Sequence, residues 1–393
     1  MTGDGTNRKE ETLRRIRRVM VLWVAMLLMA LVAAACGGED EATDSAASVA
    51  ESVTAAAGAG GDTDATTEAT ESAESTAAAT GEPIKVGLVT DVGGLNDKGF
   101  NELANTGLQQ AASELGAQVE VRESKADTDY VPNLQYFAAQ EYDLIIGVGF
   151  LMTKSIGDVA KKFPDINFAI VDASVTDEAL AGVPNVAGLV FKENEAGYLV
   201  GYLAGALHKQ GGFEGMTDKN TISSVGGLKI PPVDKFIAGY QQGAKDAFPE
   251  IKTLNGYSQD FVAQDKCKEL ANSQIGQGSD TVFQVAGGCG LGALEAAKEK
   301  GVWGIGVDKD QKDVNDRVLA SAIKVVDQAV FRTAKSVQDG SFKGGEDVAF
   351  GLAEEGVGIA SIHESVPQEI QDEVQAQADK IKNGEITVND TVE

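Results

Sequence analysis

Phenylalanine and aspartate recur in this sequence at spacings that could build the same half of a binding site twice. Phe100 and Phe236 each follow a glycine-rich turn and an Asp-Lys pair. Asp172 and Asp308 each stand 72 residues after one of these phenylalanines. Two aromatic rings can sandwich a planar ligand, and carboxylates accept hydrogen bonds from hydroxyl or N–H donors. These residue types therefore favour recognition of a planar base joined to a polyol, which is a nucleoside.

The same residues belong to a longer internal repeat. Residues 92–95, Val-Gly-Gly-Leu, recur as residues 225–228. The third predicted strand begins at Asp143 in one half and at Asp280 in the other, 43 and 44 residues after the phenylalanine of that half. Several coincidences in one register indicate two copies of one structural unit. We therefore expect two similar lobes.

Short runs rich in valine, isoleucine and leucine alternate with helical patterns from residue 84 onward. This alternation is typical of a parallel sheet that helices cover on both faces. The predicted strands are residues 84–90, 118–123, 143–149, 167–172 and 186–191, then 221–226, 251–257, 280–286, 303–308 and 318–324. The predicted fold class is α/β, with two similar doubly wound parallel-sheet lobes.

Each candidate residue lies just past a predicted strand. Asp91 follows the first strand, Phe100 begins the next helix, and Asp172 and Asp308 follow the fourth strand of their halves. Ligands of open α/β sheets bind outside the carboxyl ends of the strands, so the two lobes should share one cleft. Other roles stay open, because a phenylalanine at a helix start can be core and an aspartate can cap a turn.

The N-terminus has the pattern of an export signal. Six basic residues precede seventeen consecutive apolar residues, Val19 to Ala35, and Cys36 follows directly. This pattern predicts a signal peptide over residues 1–35. The alternative is a membrane-spanning helix, but the run is at the short limit for crossing ~30 Å of hydrocarbon. Cys36 resembles the lipidated cysteine of bacterial lipoproteins, which predicts an extracytoplasmic protein anchored to the cell membrane; general or twin-arginine export stays open.

Residues 36–83 are predicted to be a disordered, lipid-anchored acidic tether. Residues 37–83 contain eleven acidic residues and no Lys or Arg, and they have too few apolar side chains to form a core. Such a coil spans roughly 40 Å on average, enough to hold a domain clear of a membrane surface. The whole chain carries a formal charge of −27 at pH 7, which argues against a nucleic-acid partner.

The remainder of the chain is longer than a single core usually holds, which again predicts two lobes. The chain is expected to pass between the lobes near residues 191–194, 319–322 and 345–349. The N-terminal lobe is assigned residues 84–191 plus 322–345, and the C-terminal lobe residues 192–321 plus 346–393.

Cys267 and Cys289 remain as a pair once Cys36 is assigned to lipid. In an oxidising compartment a disulfide is the expected state of such a pair. With only His208 and His363 in the chain, a transition-metal site is not expected. A bridge would also brace the glycine-rich loop at residues 287–290 and hold its backbone amides toward the cleft.

Residues 288–293, Gly-Cys-Gly-Leu-Gly-Ala, match a dinucleotide-binding pattern, and Asp308 stands twenty residues after the first glycine. A dehydrogenase would carry this pattern in the first βα unit of its domain, whereas here it follows the third strand of the second repeat. An exported NAD-dependent oxidoreductase is therefore the less favoured interpretation. We expect no enzyme activity and no cofactor.

The run from Val86 to Asn101 resembles the opening of the basic membrane lipoprotein family of ABC-importer binding proteins, often called the purine nucleoside receptor group. Further matching segments are residues 164–172, 195–205, 236–243, 304–308 and 321–324, so the resemblance spans nearly all of residues 84–345. It implies a type I periplasmic-binding-protein fold with a multi-crossing hinge. Gly99 departs from the family, which often has serine there, and the Cys267 and Cys289 pair is not a general family feature.

The resemblance also implies roles for individual residues. Phe100 and Phe236 would stack on a base, Asp91 and Asn101 would contact the base edge, and Asp308 and Lys324 would lie near a ribose. The complete predicted ligand-binding set is Asp91, Asn96, Phe100, Asn101, Asp172, Phe236, Gly288, Asp308 and Lys324.

The function implied is that of an extracytoplasmic substrate-binding lipoprotein of an ABC importer. It would capture a purine nucleoside by closure of its two lobes, as a monomer, and an ABC permease in the membrane would be its partner. A clamp of the same design could instead bind a free sugar or another polar metabolite, because sugars also stack on aromatic rings and bond to carboxylates. A surface adhesin would leave the repeated site residues unexplained.

Overall fold

The computed structural model describes residues 83–392. The predicted signal peptide, Cys36 and the predicted tether up to residue 82 lie outside the described residues. Among residues 83–392, no helix combines the length and the apolar composition that crossing a bilayer requires.

Twelve strands and nine α-helices build the described part of the chain. The strands are β1 (Lys85–Val89), β2 (Gln118–Arg122), β3 (Leu144–Val148), β4 (Asn167–Val171), β5 (Val186–Phe191), β6 (Thr221–Gly226), β7 (Lys252–Tyr257), β8 (Thr281–Val285), β9 (Trp303–Asp308), β10 (Val318–Lys324), β11 (Asp347–Phe350) and β12 (Val357–Ala360). The helices are α1 (Phe100–Leu115), α2 (Tyr130–Ala138), α3 (Thr153–Ala160), α4 (Glu193–Gln210), α5 (Pro231–Ala247), α6 (Gln264–Gly276), α7 (Gly287–Lys300), α8 (Val326–Gln338) and α9 (Gln368–Lys382).

The strands form two six-stranded sheets with matching topologies. The first sheet has the order β11-β5-β4-β3-β1-β2, and the second has the order β12-β10-β9-β8-β6-β7. All neighbours are parallel except β12, which runs antiparallel to β10. Each sheet is the centre of one lobe, so the two-lobed α/β architecture is confirmed.

Helices on both faces explain why the central strands are apolar throughout. Val86 and Leu88 point to one face of the first sheet and join the apolar cluster that contains Leu108 of α1. Val89 points to the other face and packs in a separate cluster with Phe137 of α2. Because successive side chains alternate between faces, a strand that is buried on both sides needs an unbroken apolar run.

The helices α4 and α5 touch through their backbones. A Cβ atom at Gly197 or Gly201 of α4 would lie 2.1 Å from a carbonyl oxygen of α5, and at Gly205 the distance would be 2.4 Å. Any larger residue would force the two helices apart. This contact ties α5, which carries Phe236, to the helix that follows the first chain crossing.

Two predicted lobe boundaries need correction. Strand β10 belongs wholly to the second sheet, since Lys324 at its end pairs with Val357 of β12. The chain returns to the first lobe only at α8, where the carbonyl of Asp327 lies against Gly107 of α1. Residues 347–350 had been assigned to the C-terminal lobe, but they form the edge strand β11 of the first sheet. The third crossing therefore falls at residues 351–356 instead of 345–349.

Candidate functional site

The carboxyl ends of the parallel strands in both sheets face one cleft between the lobes. The cleft encloses about 620 Å³ of empty space, counting the part that is open to solvent. Eight of the nine predicted ligand residues line it, namely Asp91, Phe100, Asn101, Asp172, Phe236, Gly288, Asp308 and Lys324. Residues far apart in the sequence thus meet at one site, four from each lobe.

Asn96 is the ninth predicted residue, and the structure does not bring it into the cleft. Its side chain is exposed in the turn before α1, whereas the neighbouring Asp97 is buried and lines the cleft. Asp97 accepts hydrogen bonds from the backbone N–H groups of Gly99, at 3.0 Å, and Asn101, at 2.7 Å. An aspartate before a helix commonly caps it in this way, and that pattern could have identified Asp97 from the sequence.

Asn101 holds Asp91 in place. Its side-chain nitrogen donates to Asp91 Oδ1 at 2.7 Å and to Asp97 Oδ2 at 3.0 Å, and its side-chain oxygen accepts from the N–H of Asp91 at 3.2 Å. Both amide hydrogens of Asn101 are therefore engaged inside the protein. The second carboxylate oxygen of Asp91, Oδ2, makes no hydrogen bond among the described residues and lies beside Gly149, which also lines the cleft.

Asp91 combines burial with this fixed orientation. Burial raises the pKa of Asp91 to about 6, against the opposing effects of its hydrogen bonds from Asn101 and from the backbone of Gly93. A carboxylate held by two donors on one oxygen can present the other oxygen to a ligand as an acceptor.

Lys324 connects the two lobes by ion pairs. Its ammonium nitrogen, Nζ, lies 2.6 Å from Asp172 Oδ1 of the first lobe and 3.0 Å from Glu193 Oε1 at the start of α4. Burial by itself lowers the pKa of Lys324, but Asp172, Glu193 and Asp308 together raise it above its ordinary value, so this lysine is charged. Glu193 was not among the predicted residues, although its side chain is fully buried in this network.

Three aromatic rings surround the same ammonium group. Lys324 Nζ lies 5.1 Å from the centre of the Phe100 ring, 5.9 Å from that of Phe236 and 4.9 Å from that of Phe191. Cations at such distances are attracted to the faces of aromatic rings. The two repeated phenylalanines, one from each lobe, therefore converge on one point of the cleft, and Phe191 is an aromatic neighbour that the repeat did not reveal.

Asp308 is a buried carboxylate that has no hydrogen-bond donor among the described residues and no ion pair within 4 Å there. Only 8% of the residue is exposed. Burial raises the pKa of Asp308 to about 7, although Lys324 opposes this shift. A buried acceptor without a donor costs free energy, and a ligand that supplies donors removes that cost.

The glycines of the dinucleotide-like pattern serve packing. A Cβ atom at Gly290 would lie 1.7 Å from Gln284 Oε1, and one at Gly292 would lie 2.0 Å from the carbonyl oxygen of Gln264 at the start of α6. Gly288 does face the cleft. The pattern therefore has a structural explanation that does not involve a dinucleotide.

Cys267 of α6 and Cys289 of α7 form a disulfide, with their Cα atoms 5.6 Å apart. The N–H of Cys289 also donates to the carbonyl of Phe261 at 2.9 Å. The bridge therefore attaches the glycine-rich start of α7 to α6, as the sequence predicted.

A family model described as "ABC transporter substrate-binding protein PnrA-like" matches residues 84–392. The CD4+ T-cell-stimulating antigen of Listeria monocytogenes is 34% identical over 325 residues, which cover 77% of this chain and 87% of that protein. The ABC transporter nucleoside-binding protein BmpA of Lactococcus lactis is 34% identical over 327 residues, 78% of this chain and 89% of that protein.

A solved structure agrees with these sequence matches. An ABC transporter solute-binding protein from Aeropyrum pernix superposes with a TM-score of 0.71 at 27% identity, over 79% of this chain and 94% of that one. Its likeness extends across both lobes, and the family match includes every residue that lines the cleft. The chain therefore belongs to the Bmp family of ABC transporter substrate-binding proteins.

Proposed function

We propose that this substrate-binding protein captures a purine nucleoside between its lobes and presents it to an ABC permease. The observation that carries the proposal is the buried carboxylate of Asp308, which has no hydrogen-bond donor among residues 83–392 and lines the same cleft as two phenylalanines from opposite lobes. The name of the Lactococcus lactis relative, a nucleoside-binding protein, supports the same ligand class.

The base would stack between Phe100 and Phe236. Base stacking on aromatic side chains contributes about 1–3 kcal/mol per base in nucleic-acid-binding proteins. Asp91 would accept a hydrogen bond from an N–H group on the base edge through its free Oδ2 atom. Asn101 takes a different role from the one implied by family resemblance, because its amide hydrogens are engaged by Asp91 and Asp97. It would position Asp91 without contacting the base.

The ribose would lie against Asp308 and Lys324. Asp308 can accept hydrogen bonds from sugar hydroxyls, which would supply the donors that it lacks among the described residues. A lysine ammonium has three N–H donors, and Asp172 and Glu193 engage two of those of Lys324. The third is available to a hydroxyl oxygen. The aspartates and the lysine together match the donors and acceptors of a polyol.

Capture would involve rotation of the lobes about the three chain crossings. The two lobes already meet through Lys309 Nζ and Glu102 Oε1 at 3.0 Å, and through Gln311, whose side chain donates to the carbonyl of Lys98 at 3.1 Å. A ligand that contacts both lobes stabilises this closed arrangement, and a permease can recognise the closed form.

Calorimetric titration and thermal-shift measurements with a small panel of ligands test the proposal. The panel consists of inosine, guanosine and adenosine, the pyrimidine nucleosides cytidine and uridine, and the free sugars ribose, xylose and glucose. We expect the purine nucleosides to stabilise the protein most, since a ligand at 100 times its Kd adds about 2.7 kcal/mol. Binding of free sugars alone would contradict the proposal and support the alternative that Asp308 and Lys324 recognise a sugar.

We also propose that residue Cys36 anchors the protein to the outer side of the cell membrane. The apolar run and the small residues before this cysteine support the proposal. We expect the wild-type protein in the membrane fraction of the producing cell, carrying a lipid on its N-terminal cysteine by mass spectrometry. A Cys36→Ser variant should be exported without lipid; an unlipidated wild-type protein would refute the anchor.

A further inference from the structure

A third aromatic side chain, Phe261, lines the same cleft from the loop at residues 258–263, between β7 and α6. Its ring lies on the backbone of Gly227, where an added Cβ atom would be 2.2 Å from the ring. Only glycine at position 227 leaves room for the ring. This contact fixes the position of the Phe261 ring on the side of the cleft that the second lobe forms.

The backbone of this loop is held at both ends. The N–H groups of Ser258 and Gln259 donate to the carbonyls of Gly226 and Gly227 at 2.8 and 3.0 Å. Further along, the carboxylate of Asp260 accepts from the N–H groups of Val262 and Ala263 at 2.8 and 2.9 Å. Asp260 also accepts from Lys266 at 2.7 Å. These contacts leave the backbone around Phe261 little freedom.

The disulfide joins helix α6, which follows this loop, to the start of helix α7. Cys267 lies one turn into α6, directly after the loop, and its partner Cys289 donates its N–H to the carbonyl of Phe261 at 2.9 Å. Both cysteines are fully buried. An added Cβ atom at Gly288 would lie 3.5 Å from the carbonyl oxygen of Phe261 and 3.7 Å from the Cα atom of Asp97 in the first lobe. The loop at residues 258–263 and the loop at residues 287–290 are therefore in contact with each other, at the place where the second lobe meets the first.

We propose that Phe261 is a third aromatic wall of the ligand site and that the Cys267–Cys289 disulfide holds it in the binding position. The inference rests on the proposed capture of a nucleoside, because it assigns Phe261 a contact with the edge of a base stacked between Phe100 and Phe236. The bridge acts as a positioning element: it orders the wall before the ligand arrives, so that binding does not have to order it.

The contact is tested by titrating inosine into the Phe261→Ala variant. We expect binding about tenfold weaker than in the wild type, because the variant loses one aromatic contact with the edge of the base. Val262→Ala is the matched control, because Val262 is the next residue of the same loop and is 53% exposed. Its affinity should be unchanged. Phe261→Leu keeps apolar packing on Gly227 and should fall between the two. Wild-type affinity in both Phe261 variants would overturn the contact.

The positioning role is tested with the Cys267→Ala/Cys289→Ala variant, alone and combined with Phe261→Ala. We expect weaker inosine binding, faster hydrogen exchange at residues 258–263, and a smaller effect of Phe261→Ala than in the bridged protein. A merely structural bridge would lower the melting temperature and leave the effect of Phe261→Ala unchanged, which would refute the positioning role.

Failure of this inference can be distinguished from failure of the proposed function. If the wild type binds inosine and Phe261→Ala binds it equally well, only the third wall is refuted. If the wild type binds ribose and no nucleoside, the nucleoside proposal is refuted, and the contact of Phe261 with the base edge is refuted with it.

Discussion

Asp172 directly follows β4 and Asp308 is the last residue of β9, the equivalent strand of the other lobe, and both adopt left-handed backbone conformations, with φ angles of 73° and 63°. Aspartate tolerates this region better than most residues do. Their surroundings nevertheless differ, because Asp172 is paired with Lys324 at 2.6 Å whereas Asp308 has no partner of this kind in the described chain. The two aspartates therefore share a backbone conformation but differ in ion pairing. Asp172 links the lobes through Lys324, and the carboxylate of Asp308 is left to accept hydrogen bonds from a ligand.

We expect the Asp308→Asn variant to be more stable than the wild type at pH 8 in the absence of ligand. Because burial raises the pKa of Asp308 from 3.8 to about 7, the folded wild type binds a proton that the unfolded chain has released, and its stability falls as pH rises between these values. The gain should be about 1–3 kcal/mol at pH 8 and should vanish near pH 4. Urea unfolding at both pH values measures it, and a loss of stability at pH 8 would contradict it.

Ligand affinity should have the opposite dependence on pH. A charged Asp308 accepts hydrogen bonds from ligand hydroxyls on both oxygens, and protonation removes part of that capacity. Inosine affinity should therefore fall as pH drops below about 7. Titrations from pH 5.5 to 8 in wild type and in Asp308→Asn separate this residue from Asp91, since the variant should lose the step near pH 7. A wild-type profile that is flat across this range would refute the role of Asp308.

We expect Lys324→Met to destabilise the protein by about 3–5 kcal/mol, because it leaves the buried carboxylate of Asp172 without its cation. Among the described residues, the variant also leaves Glu193 with Lys235 alone as a cation, at 3.4 Å. Lys309→Met is the matched control. Lys309 is also paired with a carboxylate, but 43% of its side chain is exposed, so its removal should cost at most about 1 kcal/mol. Denaturant unfolding compares the two variants. Equal losses of unfolding free energy in the two variants would show that the buried ion pairs of Lys324 stabilise the protein no more than the exposed pair of Lys309 does.

Phe100→Ala and Phe236→Ala should both weaken nucleoside binding by about 1–3 kcal/mol. They should differ in stability, because Phe236 is only 2% exposed and packs edge-on against Phe283 at 6.1 Å, whereas Phe100 is half-buried. Phe236→Ala should therefore cost about 3–5 kcal/mol of unfolding free energy and Phe100→Ala clearly less. Isothermal titration and thermal unfolding together check this. Unchanged affinity in both variants would show that the two residues have a packing role and do not contact the ligand.

The contact between Lys309 and Glu102 should favour lobe closure. In the wild type the two charged atoms lie 3.0 Å apart, so Glu102→Lys should bring two cations close together in the closed form. We expect this repulsion to increase the radius of gyration of the ligand-free protein in small-angle scattering. The double variant Glu102→Lys/Lys309→Glu restores the attraction and should recover the wild-type dimensions. If the single variant is as compact as the wild type, this pair does not contribute to closure.

Local sequence patterns predicted most of the fold because the central strands are buried on both faces. All ten predicted strands occur, and no end shifts by more than one residue. Strands β11 and β12 were missed. Each has only four residues, and three of those in β11 are exposed, so nothing local distinguishes it from a loop. Its place is decided by pairing with β5, far earlier in the chain.

Some residues of the candidate site could likewise be predicted from local sequence patterns, and others could not. The repeat identified Phe100, Phe236 and the two aspartates because each recurs at a fixed place after a strand. Glu193 could not be identified in this way. A glutamate in the first turn of a helix ordinarily lies at the surface, where its charge interacts favourably with the helix dipole. Only the chain crossing beside it brings this carboxylate into contact with Lys324, and no local pattern contains that information.

The three chain crossings also determine when the protein can fold during its synthesis. Strand β11 ends at Phe350, so the first sheet has an open edge beside β5 until nearly the whole chain has been made. The second sheet waits still longer, since β12 ends at Ala360. The first sheet can be complete only once residue 350 of the 393 has been made, and the second only once residue 360 has been made. Both lobes therefore reach their final structure late and almost together.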